Sequence, residues 1–313
     1  MYAKIYDIDN LILADEKARK GKKLSHGVKV HDRNKEANIS KLQEQLKNKM
    51  YKTGQYDIFE MVCGSKKRII YRLPYFPDRI CHHAIMNIME PIWVSIFTRD
   101  TYSCIKHRGV HGAVRIIKED MKDIPGTRYC LKCDVKKYYP SIDHDILKVI
   151  IRKKIKDTDL LWLLDEIIDS APGVPIGNYL SQFFANLYLA YFDHWMKKDI
   201  KIKYYYRYCD DIVILHNDKA VLHDIQKQIS DYLERKLKLT MKDNYQVFPV
   251  ESRGLDFLGY VFFHTHTLLR KSIKKRFAKK VSRNGMKDIV GFAAYKGWTD
   301  HCDARHLMKK LSA

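Results

Sequence analysis

Residues 204–215 read YYYRYCDDIVIL. Aromatic and β-branched residues flank one acidic pair, Asp210-Asp211, so the stretch predicts two strands joined by a tight acidic turn. Adjacent carboxylates between apolar strands repel, and one stays protonated unless a cation is near. A hard divalent ion relieves this by taking oxygen ligands from one or two carboxylates plus phosphate. A lone Asp-Asp turn is weak evidence, because surface turns also carry acids. A third acid strengthens it. TRYCLKCDV (127–135) is rich in strand formers and ends at Asp134. Three acids on neighbouring strand ends can hold two ions about 3.5–4 Å apart, the clamp for in-line phosphoryl transfer.

Working outward, residues 15–35 are polar and basic and read as a loop or mobile arm. Ile39, Leu42, Leu46 and Met50 recur at helical spacing. IFEMVCGSKKRIIYRLP (58–74) reads as two strands with a turn at Gly64-Ser65. A helical pattern runs from Asp78 to Ile96, with Pro91 at a kink or between two helices. Residues 143–170 are helical by periodicity. GVPIGNYLSQ (173–182) opens as a turn and continues as one long helix. Residues 219–238 form an amphipathic helix, and LDFLGYVFF (255–263) a further strand pair. Strands and helices do not simply alternate, which excludes a doubly wound parallel sheet and leaves a mixed α+β class.

Charge points to the partner. The 313 residues carry 58 Lys and Arg against 37 Asp and Glu, a net charge of +21. Such a surface attracts polyanions, nucleic acid first. Residues 264–313 hold 13 Lys or Arg and three Asp or Glu, so almost half of the net charge lies there. Apolar residues make up 46%, enough for a packed core. No apolar run of membrane-spanning length and no signal peptide is visible, so a cytoplasmic protein without membrane contact is expected. Cys130-x-x-Cys133 lacks a second ligand pair and reads as buried strand. His82, His83, His264 and His266 likewise lack neighbouring ligands.

With Tyr208-x-Asp210-Asp211 on a hairpin, the chain resembles the reverse transcriptases, and the supporting blocks follow in order from about residue 36 to about 310. DVKKYYPSI (134–142) is similar to the family's first catalytic block. That resemblance implies Asp134, Asp210 and Asp211 as catalytic and metal-binding residues, with the Val135 carbonyl as a further ligand. It implies Tyr139 as the aromatic gate that crowds a ribose 2′-hydroxyl. Lys66 and Arg68 resemble the basic fingers segment that meets the triphosphate, where a guanidinium fork suits phosphate oxygens. Asp78-Arg79-Ile80 resembles the next fingers block. Phe257, Leu258, Gly259 and Tyr260 resemble the primer grip. Lys271, Lys274, Lys275, Arg276, Lys279 and Lys280 are the expected nucleic-acid contacts.

One block narrows the family. Ile176-Gly177-Asn178-Tyr179-Leu180-Ser181-Gln182 stands where most relatives carry Gln-Gly-x-x-x-Ser-Pro, and this form resembles diversity-generating retroelement reverse transcriptases. QVFPV (246–250), Ser252-Arg253-Gly254, HTLLRK (266–271) and Lys296-Gly297-Trp298 with His301 also resemble that group. The resemblance implies copying of a template-repeat RNA into cDNA with misincorporation at template adenines, for mutagenic retrohoming. Ile176, Gly177 and Gln182 would line the nucleotide site; Ile176 cannot give the sugar the hydrogen bond that Gln can. It further implies Mg²⁺ (two ions, with Mn²⁺ as a substitute), dNTPs, template RNA, a cDNA primer, an accessory variability determinant protein as partner, and a bacterial or phage source. The alternative is a group II intron-like or defence-associated reverse transcriptase without adenine mutagenesis. A non-catalytic binder on the same scaffold is disfavoured by the intact acids.

The expected architecture is a right-hand polymerase fold: an N-terminal basic extension (1–35), fingers (36–125), palm (126–145), a connection (146–175), palm with primer grip (176–263) and a small helical thumb (264–313). Some relatives place a proton-donating lysine after the palm helix. Tyr245 occupies that place here and Lys242 stands three residues away. About 50 residues follow the primer grip, room for a small thumb but not for a nuclease domain.

Overall fold

The computed structural model describes residues 1–63, 66–284 and 289–312. Four helices open the chain: α1 (Tyr2–Ile5), α2 (Ile8–Ala18), α3 (His26–Asp32) and α4 (Lys35–Lys47). A hairpin of β1 (Asp57–Cys63) and β2 (Lys66–Arg72) follows, then a π-turn (Tyr75–Arg79) leading into α5 (Ile80–Ile96) and α6 (Gly109–Asp120). Next come β3 (Tyr129–Asp134), α7 (His144–Arg152), α8 (Thr158–Ile168), α9 (Tyr179–Tyr188), α10 (Ala190–Lys198), β4 (Tyr204–Tyr208), β5 (Asp211–His216) and α11 (Lys219–Leu237). The chain continues through β6 (Gln246–Pro249), α12 (Val250–Arg253), β7 (Leu255–Phe257), β8 (Tyr260–Phe262) and β9 (Thr267–Leu269). It ends with α13 (Lys271–Asn284), α14 (Ile289–Thr299) and α15 (Arg305–Ser312). Gly64 and Ser65, the expected turn, and the Lys66 side chain lie outside the described residues. No described helix is long and apolar enough to cross a membrane.

The chain divides into two compact units. The first comprises residues 1–98, 136–194 and 232–240; the second comprises 99–135, 195–231 and 241–313.

In the first unit, residues 15–35 are not a mobile arm. They complete α2, turn, and form α3. The sequence looks solvated because it is charged, but Asp15, Arg19, Asp32 and Lys35 pair with one another. Asp15 is fully buried and accepts from the Tyr75 hydroxyl at 2.5 Å, from Arg19 at 2.6 Å, and meets Lys35 at 3.2 Å. Burial alone would raise its pKa; the bonds from Tyr75, Arg19 and Lys35 prevail and hold it below the ordinary carboxylate value. Leu11, Ala14 and Val28 are fully buried around it. α5 runs through Pro91 as one helix. Residues 143–170, expected to be helical, form two helices, because Asp157 caps a new start by accepting from the Leu160 N–H at 3.0 Å. The long helix after Asn178 is interrupted at Leu189.

The second unit is built on an antiparallel sheet in the order β4-β5-β3-β6. Leu131, Ile212, Ile214 and Tyr205 lie on one face, and Cys130, Val213, Leu215 and Tyr206 on the other; each is at most 1% exposed. Both faces are thus covered, which explains the unbroken apolar runs. α6 packs Ala113, Val114 and Ile117 over the second face, and the small sheet β7-β8-β9 joins the same core through Leu255, Phe257, Tyr260 and Phe262. Each such aliphatic or aromatic side chain contributes roughly 1.5–3 kcal/mol on burial. Cys130 and Cys133 are buried strand residues, as their spacing implied.

Candidate active site

Register sets the site. β3 and β5 pair so that Asp134 lies opposite Asp211, and β4 and β5 pair Tyr208 with Asp211. Only Cys209 and Asp210 join the two strands of the hairpin. Cys209 takes the left-handed conformation, φ +59°, which makes the turn tight enough to keep both acids at the strand end. Burial raises the Asp210 pKa to about 7, with neighbouring Asp134 as the next cause. Burial also raises Asp211; Asp134 adds to this, while Lys132, Lys242 and Arg270 oppose it.

Asp134 is divided between two environments. One carboxylate oxygen, Oδ2, is ion-paired to the Lys242 ammonium, and the Lys242 N–H also donates to the Asp134 carbonyl at 2.9 Å. The other, Oδ1, is buried with no ordinary hydrogen-bond donor among the described residues. An orphaned buried carboxylate oxygen beside two carboxyls with raised pKa values is a hard, electron-rich donor set. It suits a divalent cation of the magnesium type, which would replace the retained proton. Among the described residues no three such side chains yet converge on one point. Val135 pairs with Met241 just beyond β3, next to the acid it follows in sequence.

Two residues of the site escaped the sequence reading. Lys242 was considered only as an offset proton donor, and its ion pair with Asp134 spans 108 residues, beyond any local pattern. Arg207 is fully buried in β4, and its guanidinium donates to the Cys209 carbonyl at 2.8 Å. The signal was present: one arginine inside YYYRY has to be satisfied somewhere.

The turn expected as primer grip is Leu258-Gly259, both at positive φ (+53° and +88°), between β7 and β8. A Cβ on Gly259 would lie 2.6 Å from Trp298 and 2.8 Å from Ile273, so glycine is required. Phe257 and Tyr260 are fully buried core residues, Gly259 is buried, and Leu258 is half-buried against the same core. On α13, Lys271, Lys274, Lys275, Arg276 and Lys279 are exposed and Lys280 is half-buried, while Phe277 is buried against Tyr295.

The remaining candidates lie in the first unit. Arg68 is exposed on β2. The Ile176 carbonyl accepts from the Tyr71 N–H at 2.8 Å, which anchors the Ile176-Gly177 turn to β2. Gly177 has φ +126°, and a Cβ there would meet the Tyr71 carbonyl oxygen at 2.4 Å. Gln182 is the exposed member of the largely buried helix α9, and Ile176 is half-buried. Tyr139 is half-exposed, its carbonyl accepting from the Val174 N–H at 2.9 Å.

An antiparallel sheet with carboxylates at one end of a Y-x-D-D hairpin places the chain among the reverse-transcriptase-like folds. Solved telomerase structures share that fold: one from Candida tropicalis, in complex with a fragment of telomeric RNA, matches 72% of this chain and 47% of its own at a TM-score of 0.54 and 11% identity. One from Candida albicans matches 76% and 52% at 0.52 and 10%. The chain belongs to the reverse transcriptase (RNA-dependent DNA polymerase) family, which it matches over residues 60–262. Relatives include Protein YkfC of Escherichia coli (27% identical, covering 71% of this chain and 68% of that one). The group II intron-encoded protein LtrA of Lactococcus lactis is 27% identical over 52% of this chain and 29% of its own length. The nuclear intron maturase 4 of Arabidopsis thaliana is 22% identical over 88% and 41%. The chain thus spans well under half of the two intron proteins.

Proposed function

We propose that the chain is an RNA-directed DNA polymerase that copies a template-repeat RNA into cDNA with errors at template adenines. The observation that carries the polymerase reading is the Asp134–Asp211 register, with Asp210 beside them in the turn. Asp134, Asp210, Asp211 and the Val135 carbonyl would hold Mg²⁺, two ions by resemblance. Bound there, the metal would acidify a primer 3′-hydroxyl and offset charge on departing pyrophosphate. The residues themselves supply position and field. Lys242 holds the Asp134 carboxylate in an ion pair, and Arg207 braces the turn that carries Asp210. Arg68 and Lys66 supply cations for a triphosphate. Tyr139 gives a ring that selects deoxyribose, and the Leu258-Gly259 turn and α13 hold a primer–template backbone. Ile176 and Gln182, in place of Gln and Pro, support relaxed fidelity, and an accessory variability determinant completes this reading as a partner.

A second reading is a group II intron-like enzyme without adenine mutagenesis, favoured by the intron-encoded relatives. Primer extension on an RNA template with Mg²⁺, followed by sequencing, separates them. Errors confined to template adenines select the first reading; an even error spectrum selects the second. The Asp210→Ala, Asp211→Ala double variant should lose extension by at least 10³-fold, as expected when a metal clamp is removed, and keep RNA binding. Retained extension would remove these acids from the chemistry.

A further inference from the structure

Arg79, at the entry to α5, has no role in the site above. Its guanidinium is half-buried, its Nε is buried without a hydrogen-bond partner, and it forms no ion pair among the described residues. The adjacent acid does not serve it: Asp78 is turned inward to the Tyr51 hydroxyl at 2.7 Å and the Gly54 N–H at 2.9 Å. A partly desolvated guanidinium without an anion is costly, so an anion from outside the chain would be favoured there.

The surroundings say what. Arg79, His83 and Asn87 fall at intervals of four along one face of α5. The His83 ring stacks on Tyr179, centroids 4.2 Å apart and planes at 14°. Lys17 of α2 reaches the same face and donates to Asn87 Oδ1 at 2.6 Å. Lys22 follows in the turn between α2 and α3. These groups suppress one another's charge: burial lowers His83 to about 4, with Arg79, Lys17 and Lys22 adding, and burial followed by Arg79 lowers Lys22.

We propose that Arg79, His83 and Tyr179, with Lys17 and Lys22 beside them, bind one nucleotide unit of a single-stranded RNA. A phosphodiester sits on the guanidinium fork, and a base extends the aromatic stack. Cations spread over two elements beside a ring stack match a strand. A triphosphate would call for convergent cations and a metal, and no carboxylate here offers one. The identity of that strand as template rests on the polymerase reading; the binding chemistry does not.

The test uses the full chain bearing Asp210→Ala and Asp211→Ala, a fluorescent single-stranded RNA of about 12 nucleotides, and anisotropy over a salt series. Arg79→Met should weaken binding about tenfold and lower the log–log salt slope by about 0.7, with a melting temperature unchanged or raised, because an unpaired cation has been removed. Arg79→Lys should restore the slope but not the full affinity. His83→Leu should weaken binding about tenfold with the slope intact. Unchanged affinity in Arg79→Met and His83→Leu would overturn the proposal. So would a lowered melting temperature with normal RNA binding, which is the mark of a structural arginine. In the protein with its acids intact, a raised KM for dNTP with normal RNA affinity would move the site to the incoming nucleotide and also refute it. If that protein fails to extend primers but these RNA results hold, the polymerase reading falls and this site stands.

Discussion

Arg207 shows how a buried side chain outside an acidic turn can set the geometry of that turn. Its guanidinium reaches two residues forward to the Cys209 carbonyl, at the centre of the acidic turn. Removing it takes a charged donor from the Cys209 carbonyl and lets a left-handed residue relax, at a cost of about 1–3 kcal/mol. Arg207→Met should therefore lower the melting temperature and cut kcat for primer extension at least tenfold, with KM for the primer–template little changed. A fall in KM affinity with normal kcat would assign Arg207 to binding instead. The acids were legible because two carboxylates in an apolar strand context demand an explanation. Arg207 was legible only in principle: its type is odd, but its target is a main-chain atom with no sequence signature. Lys242 needed the third dimension, since its partner lies on a strand more than 100 residues earlier.

At the scale of elements, periodicity carried far. The hairpins, α4, α5 and α11 follow from spacing of apolar residues, because each buries one stripe or one face. One failure comes from counting charges. Residues 15–35 look like solvent-facing chain because their charges are counted singly, whereas Asp15 gathers Arg19, Lys35 and Tyr75 into one buried cluster. α5 hides the opposite case, an apolar helix with a buried base. His82 is 2% exposed, its Nε2 has no partner, and burial holds its pKa at about 3, with His83 and Arg79 adding. The unfolded chain protonates this ring near the ordinary value of 6.5, whereas the folded one resists. Stability from His82 is therefore complete above pH 6.5 and is lost as pH falls toward 3, up to about 4 kcal/mol. His82→Leu should flatten the acid side of the stability–pH curve between pH 6.5 and 4, measured by urea unfolding. A curve parallel to that of the parent would show that His82 is protonated in the fold.

Across the whole molecule, a net charge of +21 is not spread evenly in its consequences. Many first-unit cations are matched by acids, as in Lys49–Asp159, Lys52–Glu166 and Arg152–Asp165. Exposed pairs of this kind contribute little to stability, but each cancels long-range field. On α13, Lys271, Lys274, Lys275 and Lys279 are exposed and form no ion pair among the described residues. Their opposite side is anchored by Phe277 stacking on Tyr295, 4.7 Å between centroids, so the helix has an apolar seat and a free basic face. Such a face suits phosphates irrespective of base sequence. Lys271→Gln, Lys275→Gln and Lys279→Gln together should reduce the log–log salt slope of duplex binding by about 2 to 3, and weaken unrelated duplexes by the same factor. The substituted residues of α13 are exposed, so the melting temperature should stay within about two degrees, as for substitutions away from buried contacts. If affinity fell for one sequence and held for another, α13 would be reading bases rather than backbone. If the slope did not move, the net charge of the chain would have to act through the α6 and first-unit cations instead.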